Sequence, residues 1–321
     1  MISAYAKLRR LALLATAATL LAGVSLAHAD FPERPITVIV PSGAGGGTDT
    51  HARALASQLE GILKTPITVV NRPGGGGFIG AQALLDARDD GHTIMIQSFG
   101  TFMLNGLRKQ QPIDPIKDFK TVGMIGELVT GIAVRAEDER FKTIEDFVAY
   151  ARANPGMSYG VAGNGSWHHA AAIGLQSGSG FDSRVVVFKG GGEVRAALLG
   201  GQVDYVWMGV QQVAGFEEKI RMLAVNSEER YPLADSIPTL SEKGVTATPV
   251  SSPMIIAVST KVDDTIVEIL SDAVEKAATS AEFKAALTNA KAVPKFKSGK
   301  AARAYILSLG EAWLPVARSM K

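Results

Sequence analysis

Residues 36–49 read Ile-Thr-Val-Ile-Val-Pro-Ser-Gly-Ala-Gly-Gly-Gly-Thr-Asp, and this stretch decides the fold. Its first five residues form an apolar, β-branched run typical of a buried strand, and residues 51–63 continue with the spacing of a helix. Residues 67–80 repeat the pattern, with Ile-Thr-Val-Val, then Asn-Arg-Pro, then a second glycine run. The chain therefore contains two glycine-rich strand-to-helix turns in close succession.

These turns place two helix N-termini at one edge of a sheet. The first N–H groups of a helix have no partner within it and carry a partial positive charge, which favours an anion. Glycine lets the backbone approach a ligand without a Cβ atom in the way. The sequence therefore predicts a small-anion site, and its expected ligand is a carboxylate. The alternative is a pair of tight turns that need glycine only for packing.

The first thirty residues have the pattern of a secretory signal peptide. Lys7, Arg9 and Arg10 form a basic region, residues 11–27 are uncharged and apolar, and Ala-His-Ala at 27–29 matches a signal peptidase site. The alternative is a transmembrane anchor, but the stretch is shorter than the ~20 residues that a span needs. We expect residues 1–29 to be removed and the mature protein to be soluble and periplasmic.

Charge and cysteine content exclude several classes of protein. Removing three basic residues with the signal peptide leaves 30 against 31 acidic ones, and no basic patch with interleaved aromatic residues favours nucleic acid. The absence of cysteine excludes disulfides, iron–sulfur clusters and thiol catalysis. The glycine runs lack the Lys-Ser/Thr of a phosphate loop and a clean dinucleotide fingerprint, and no G-x-S-x-G elbow occurs. We expect no cofactor, no metal and no catalytic activity.

Strands and helices alternate along the rest of the chain. Residues 93–96 form a third predicted strand, and short strands are expected near 122–125 and 132–134. Thr143 and Asp146 resemble a capping box at a helix start. A second α/β series carries glycine-rich turns at 162–166 and 189–192, and the C-terminal part is predicted to be mostly helical, at 264–279 and 299–318. Two such series favour two mainly parallel, doubly wound α/β domains with a cleft between them, as in a clamshell binding protein.

The motifs match a known family, in order and spacing, over nearly the whole mature chain. The chain resembles the Bug-type periplasmic solute receptors of tripartite tricarboxylate transporters. It departs from the family at Phe188, where Tyr is usual, at His92, where Tyr is commoner, and at residues 257–263, which replace an Ala-Pro-x-Gly-Thr-Pro stretch. The matching stretches are Phe-Pro-Glu-Arg-Pro-Ile at 31–36, the glycine turns within 40–53 and 70–80, Asp-Gly-His-Thr at 90–93, Asp-Pro-x-Lys-Asp-Phe at 114–119, Asn-Pro-Gly at 154–156, Gly-x-Gly-Ser-x-x-His at 163–169, Lys-Gly-Gly at 189–191, Leu-Gly-Gly-Gln-Val-Asp at 199–204, Leu-Ala-Val at 223–225 and Ile-Pro-Thr-Leu-x-Glu-x-Gly at 237–244.

The resemblance implies a type II periplasmic binding protein that delivers a carboxylate to membrane transporter subunits. Domain I would comprise residues 30–128 and 250–321, and domain II residues 129–249. The expected partners are a small carboxylate and the transporter, with no nucleic acid, and the receptor is expected to be a monomer. Two alternatives stay open: a periplasmic sensor that feeds a signalling system, and an exported hydrolase in which Ser166, His169 and Asp204 meet.

The candidate ligand-binding residues come from the turns of both series. Each has a plainer structural role beside the functional one. An Asp at position 49 is expected to cap its helix, His169 to pack in the core and Met208 to end a buried strand, whereas Lys189 is either a surface lysine or a cleft cation. The predicted set is Ser42, Gly43, Ala44, Gly45, Gly46, Gly47, Thr48, Asp49, Gly76, Gly77, Phe78, Ser98, Phe99, Gly100, Thr101, Gly163, Asn164, Gly165, Ser166, His169, Lys189, Gly190, Gly191, Met208 and Gly209.

Overall fold

The computed structural model of the protein describes residues 31–108 and 112–320. All the helices and strands given below lie within residues 34–321, which form one compact unit. The expected signal peptide, residues 1–29, lies outside the described residues.

In the first half of the sheet, three parallel strands each lead into a helix, the first two through a glycine turn and the third directly. These elements are β1 (Ile36–Val40), α1 (Gly47–Leu63), β2 (Ile67–Asn71), α2 (Phe78–Leu85), β3 (Thr93–Ser98) and α3 (Phe99–Leu107). β1 pairs with β2 on one side, with Ile36 opposite Ile67, and with β3 on the other, with Thr37 opposite Thr93. The carboxyl ends of the three strands therefore lie at one edge, and all three helices start there.

One long strand belongs to both halves of the sheet. β4 (Phe119–Arg135) runs antiparallel to β9 (Ser251–Ser259) up to Val129, and antiparallel to β7 (Tyr205–Gly209) from Thr130 onward. Its partner strand therefore changes between residues 129 and 130. β9 also pairs antiparallel with β3, so it lies between β3 and β4.

The second half of the sheet repeats the order of parallel strand and helix. Its other elements are α4 (Ile144–Ala153), β5 (Ser158–Ala162), α5 (Trp167–Ser179), β6 (Arg184–Phe188), α6 (Gly191–Leu199) and β8 (Ile220–Val225). β5 pairs parallel with both β6 and β7, whereas β8 runs antiparallel to β4. A 3-10 turn, Val210–Gln212, follows β7 at the carboxyl end of that strand.

After β9 the chain completes the first half with four elements. These are α7 (Asp264–Thr279), α8 (Ala281–Asn289), β10 (Pro294–Ser298) and α9 (Gly299–Ser319). β10 pairs antiparallel with β4. On α9, Trp313 is fully buried and its indole N–H donates to the Pro249 carbonyl at 2.9 Å. This contact fixes the C-terminal helix against the segment that leads into β9.

The local expectations for the fold are confirmed and the long-range ones only in part. Thr143 and Asp146 form the predicted capping box at the start of α4, with both hydrogen bonds present. The two short strands expected near 122–125 and 132–134 are parts of the single strand β4, in which bulges interrupt the register. β9, α8 and β10 were not predicted. All nine residues of β9 are buried, because neighbouring strands and packed helices cover it.

Candidate ligand-binding site

The first glycine turn joins β1 to α1. α1 begins at Gly47, and its N-cap residue, Gly46, has no side chain to accept a hydrogen bond from the helix. Residues 43–46 are exposed, and Gly45 has a φ of +75°, a conformation that favours glycine. The N–H groups at the start of α1 therefore need an acceptor from outside the helix.

Asp49 holds this turn together from inside. Its side chain is only 4% exposed and accepts hydrogen bonds from the Gly45 N–H (2.9 Å), Arg53 Nε (2.9 Å) and Asn71 Nδ2 (3.0 Å). Burial alone would raise the pKa of Asp49, but these donors lower it below its usual range. The expectation that Asp49 is the N-cap is wrong. Gly46 holds that position, and Asp49 reaches back from the first turn to a donor that precedes the helix.

The second glycine turn, residues 74–77, joins β2 to α2. All four glycines have positive φ, and the N–H groups of residues 77–79 donate to carbonyls within the turn. A methyl group built at Gly76 would lie 2.4 Å from Asn105 Nδ2, so a side chain there would displace Asn105. This turn is therefore compact, and several of its donors are already used internally.

The third helix start in this half is capped from a distant strand. Ser98 is the N-cap of α3 but its own side chain makes no capping bond. The Gly100 N–H instead donates to Ser252 Oγ at 2.9 Å, and the hydroxyls of Ser98 and Ser252 lie 2.6 Å apart. Ser252, on β9, is fully buried. It accepts a hydrogen bond at the start of α3, where the sequence around residues 97–101 provides no capping side chain.

Three residues of the predicted set lie in the hydrophobic core. Phe78 and Phe99 are each 4% exposed, and their ring centroids lie 4.6 Å and 5.8 Å from that of Phe102. Met208 is 1% exposed and packs with the apolar residues of the second half. The structure thus places these side chains in packing roles, away from the surface that the turns present.

In the second half, the turn at residues 163–166 is held by its own helix. Ser166 is the N-cap of α5 and its hydroxyl accepts the His169 N–H at 3.2 Å. His169 Nδ1 in turn accepts the Gly165 N–H at 3.2 Å. Burial, and to a smaller extent the charge of Arg108, lower the pKa of His169, so its ring is neutral at pH 7. Asn164 is the exposed side chain of this turn.

Lys189 places an exposed positive charge at the turn of residues 189–192. Its backbone N–H donates to Glu193 at 3.0 Å, and its side chain is exposed. Its ammonium group forms no ion pair with any residue within the described ranges. Gly190 is the N-cap of α6 and, like Gly46 at α1, offers no side-chain acceptor. The Gly209 N–H is used by Gln212 Oε1 at 2.9 Å.

The turns of the two halves contact each other at the start of α1. A methyl group built at Gly47 would lie 3.3 Å from Leu128 Cδ1 and 3.9 Å from Gln211 Nε2. Gln211 belongs to the 3-10 turn that follows β7, whereas Gly47 is the first residue of α1. The helix start predicted to hold an anion is therefore covered by a side chain from the second half.

A second contact between the halves lies at α3. The Trp167 N–H donates to Thr101 Oγ1 at 3.4 Å. A methyl group built at Gly165 would lie 2.5 Å from Arg108 Nη1 and 3.4 Å from Asn105 Oδ1. Because Asn105 also fills the space beside Gly76, the second glycine turn, α3 and the turn at 163–166 meet at one place.

Comparison with known proteins assigns the family. Residues 51–308 match the family model described as the tripartite tricarboxylate transporter family receptor. The chain belongs to this receptor family. A relative named "UPF0065 protein in gbd 5'region", from Cupriavidus necator, is 34% identical over 277 residues, which cover 85% of this chain and 84% of the relative.

Solved structures show that the receptor has the expected fold. MatC (Rpa3494) from Rhodopseudomonas palustris with bound malate matches at 27% identity and a TM-score of 0.76, covering 89% of this chain and 100% of that chain. Rpa4515 from the same organism, with adipate, matches at 26% identity and a TM-score of 0.81, covering 91% and 98%. The fold is the two-domain α/β fold of periplasmic solute-binding proteins.

The receptor does not assemble the triad of the hydrolase alternative. The Ser166 hydroxyl accepts a backbone N–H, and the His169 ring accepts the Gly165 N–H. Asp204 accepts hydrogen bonds from the N–H and hydroxyl of Ser158 at 2.9 Å and 3.1 Å. Within the described ranges, no cluster of His, Asp and Glu side chains could hold a metal ion, and no helix has the length and apolar character of a membrane span.

A cavity of about 600 Å³ lies elsewhere in the receptor's second half. Its lining includes Arg152, Gln176 and Ser183. Arg152 Nε donates to a backbone carbonyl, and the Gln176 amide bonds to the Ala172 carbonyl and the Ser183 N–H. The Arg152 Nε and the Gln176 amide are thus engaged with the protein itself, whereas the Ser183 hydroxyl is buried and has no hydrogen-bond partner among the described residues. The candidate site stays at the glycine turns because the uncapped helix start lies there.

Four side chains at the turns were missed by sequence reasoning. Each lies outside a glycine-rich turn, in a local sequence without a recognisable motif. They come to the site because strands and helices distant in sequence are adjacent in the fold. These side chains are Asn105, Arg108, Gln211 and Ser252.

Proposed function

We propose that this receptor binds a small carboxylate at the start of α1, between the two halves of the sheet. The observation that carries the proposal is the contact at Gly47 between the two halves of the sheet. A helix that begins without a side-chain cap is covered there by Gln211 from the other half. A carboxylate at this position would accept the open N–H groups and interact favourably with the helix dipole.

The first turn would contribute more to binding than the second. The N–H groups of residues 77–79 already donate within their own turn, whereas α1 has a glycine N-cap and no side-chain acceptor. The Ser42 hydroxyl is buried and has no hydrogen-bond partner among the described residues, so it is available to a ligand as well. Hydrogen bonds to a charged group contribute about 1.5–3 kcal/mol each. The second turn would act through shape and through bridging water.

The ligand class we propose is a dicarboxylate. The solved relatives MatC and Rpa4515 are described with malate and adipate, which both carry two carboxylates. Two cations near the turns of the second half are candidates for the second carboxylate. Lys189 stands beside the Gly190 turn, and Arg108 lies against Gly165. One carboxylate would lie at α1 and the other would face one of these cations.

We further propose that the two halves are separate domains that close on the ligand. Domain I would comprise residues 30–128 and 250–321, and domain II residues 129–249. The change of β4 partners between residues 129 and 130, and the start of β9 at Ser251, support these boundaries. Closure would complete the hydrogen bonds of the anion and expel water from it.

The receptor would deliver its ligand unchanged to the membrane subunits of a tripartite transporter. It would reach the periplasm through the signal peptide proposed at residues 1–29. Membership of a receptor family supports this role, as does a Ser166 hydroxyl that caps a helix and has no hydrogen bond to the His169 ring. Mass spectrometry after long incubation should recover any bound acid unchanged, and conversion of the acid would refute the absence of catalysis.

A thermal-shift screen of residues 30–321 tests the proposed function. The panel comprises mono-, di- and tricarboxylates, with the corresponding amides as uncharged controls. At a concentration of 100 Kd, a ligand adds about 2.7 kcal/mol of stability, which is roughly 5–10 °C in Tm for a chain of this size. We expect at least one dicarboxylate to reach this shift while its diamide does not. If no carboxylate raises Tm, the proposal is wrong.

A further inference from the structure

The amide of Gln211 occupies the space that a side chain at residue 209 would otherwise fill. A methyl group built at Gly209 would lie 2.6 Å from Gln211 Nε2 and 2.7 Å from its Oε1. Glycine at 209 therefore lets the Gln211 side chain fold back over the end of β7. The neighbouring Gln212 fixes the same turn through its bond to the Gly209 N–H. Gln211 thus has a defined position at the carboxyl end of a strand.

This position faces the proposed carboxylate site. Gln211 Nε2 lies 3.9 Å from a methyl group built at Gly47, the first residue of α1. Leu128 covers the same residue from β4 and is 7% exposed. A ligand whose carboxylate meets the start of α1 would therefore have two side chains close to it, Leu128 from β4 and Gln211 from the 3-10 turn after β7.

The oxygen of this amide lacks a donor. Gln211 Oε1 is buried and has no hydrogen-bond partner among the described residues. A buried acceptor without a donor is unfavourable, so folding retains it only where water or a ligand supplies the missing hydrogen. A carboxylate has no hydrogen to give at neutral pH. Where a ligand supplies it, the donor is another group of that ligand, close to the carboxylate.

The charges around the site favour a hydroxyl over an ammonium group. An ammonium group would need a nearby carboxylate to balance its charge. The acidic residue closest in sequence to Gly47 is Asp49, whose carboxylate is already occupied by Gly45, Arg53 and Asn71. A neutral hydroxyl requires no counter-charge and satisfies a single acceptor.

We propose that Gln211 accepts a hydrogen bond from a hydroxyl on the carbon next to the ligand carboxylate, so that the receptor selects 2-hydroxy acids over their deoxy counterparts. This inference rests on the proposed carboxylate function. It assigns Gln211 the role of a specificity-determining residue, because a site built to hold a hydroxyl discriminates against an analogue that leaves a buried acceptor unpaired.

Isothermal titration of residues 30–321 with matched acids tests the inference. The pairs are malate and succinate, 2-hydroxyadipate and adipate, citrate and tricarballylate, and lactate and propionate. For the pair that binds, we expect the hydroxy acid to bind about tenfold more tightly, the ratio that one neutral hydrogen bond provides. Gln211→Met keeps the length of the side chain and removes the acceptor. It should abolish this ratio by weakening the hydroxy acid about tenfold while changing the deoxy acid less than about twofold.

Two controls separate recognition from folding. Gln202→Met makes the same exchange at an exposed position just before the other end of β7, and its hydroxy-to-deoxy ratio should equal that of the wild type. The ligand-free Tm of Gln211→Met should equal or exceed that of the wild type, because the oxygen removed has no partner. A lower Tm would indicate that Gln211 serves the fold and would refute the inference.

The outcomes distinguish this inference from the proposed function. If carboxylates bind but the wild type shows no preference for the hydroxy acid, or if Gln211→Met keeps the preference, the inference is wrong and the receptor function stands. If no acid on the panel binds, the proposed function is wrong and the inference falls with it.

Discussion

Replacing Asp49 with asparagine should destabilise the protein and open the first turn. The carboxylate is almost fully buried, and its Oδ2 accepts both the Gly45 N–H and Arg53 Nε. In the Asp49→Asn variant, an NH2 group at the Oδ2 position would face these two donors with hydrogens of its own. An amide placed the other way round would instead meet the Asn71 donor, which bonds to Oδ1. Either orientation removes at least one hydrogen bond to the buried Asp49 side chain.

The size of the effect follows from the buried contacts. A hydrogen bond to a charged group contributes about 1.5–3 kcal/mol, and the contact between the Gly45 N–H and the buried carboxylate is lost. The Arg53 side chain is 55% exposed, so solvent screens its ion pair and we assign no further loss to it. We expect the free energy of unfolding to fall by about 2–3 kcal/mol at pH 7, or roughly 4–10 °C in Tm.

The pH dependence gives this prediction a definite sign. The folded pKa of Asp49 lies below its usual range, so its contribution to stability is present above the unfolded pKa, about 3.9, and is lost as pH falls through the folded value. The difference between wild type and Asp49→Asn should therefore be constant near pH 7 and shrink below about pH 4.

Urea unfolding at a series of pH values measures this difference. The control is Asp86→Asn, which exchanges an exposed carboxylate that bonds to Gln82 at the end of α2. The control should change stability by less than about 0.5 kcal/mol. If Asp49→Asn is as stable as the wild type at pH 7, or if its deficit is unchanged at pH 3, Asp49 does not hold the turn as the structure indicates.

Three further variants test other parts of the site. Gly47→Val places a branched side chain at the uncapped start of α1, against Leu128. It should lower carboxylate affinity at least tenfold in titration calorimetry, while the circular dichroism spectrum stays native. Unchanged affinity would show that the anion binds elsewhere. Ser252→Ala leaves the Gly100 N–H without its buried acceptor and should lower the free energy of unfolding in urea by about 1–3 kcal/mol. The control Ser308→Ala, at an exposed site on α9, should leave that free energy almost unchanged. Equal values for the two variants would refute the role of Ser252. Lys189→Met should weaken a dicarboxylate severalfold and a monocarboxylate less, with Lys284→Met as the exposed control; identical affinities for wild type and Lys189→Met would place Lys189 outside the site.

Local patterns were sufficient to predict the glycine turns and the elements beside them. β1, β2 and the helices that follow them depend on apolar spacing and glycine conformation over a few residues, and the capping box at Thr143 depends on two residues in one turn. β9 could not be found this way. It is buried at every position, so it lacks the alternation of a half-exposed strand, and it contains Pro253, which argues against a central strand.

The candidate site likewise contains a part that local sequence predicts and a part that it does not. The backbone of the first turn follows from local sequence, but the helix start is uncapped where Asp49 was expected to be the cap. Ser252 reaches Ser98 from 154 positions away, and Gln211 reaches Gly47 from the opposite half. No local motif marks Ser252 or Gln211. Ser252 has its role only because β3 and β9 are adjacent, and Gln211 has its role only because the two halves of the sheet are adjacent. The role expected for Asp49 was wrong for a similar reason, since the partners Asn71 and Gly45 lie outside its helix.

A crystal structure of residues 30–321 with the tightest-binding dicarboxylate tests the central claim most directly. We expect one carboxylate of the ligand to lie at the start of α1, with an oxygen within about 3.2 Å of a backbone N–H of residues 46–48 or of a water bridging to one. The second carboxylate should lie near Lys189 or Arg108. A ligand found instead in the cavity lined by Arg152 and Gln176, with the start of α1 unoccupied, would contradict the account.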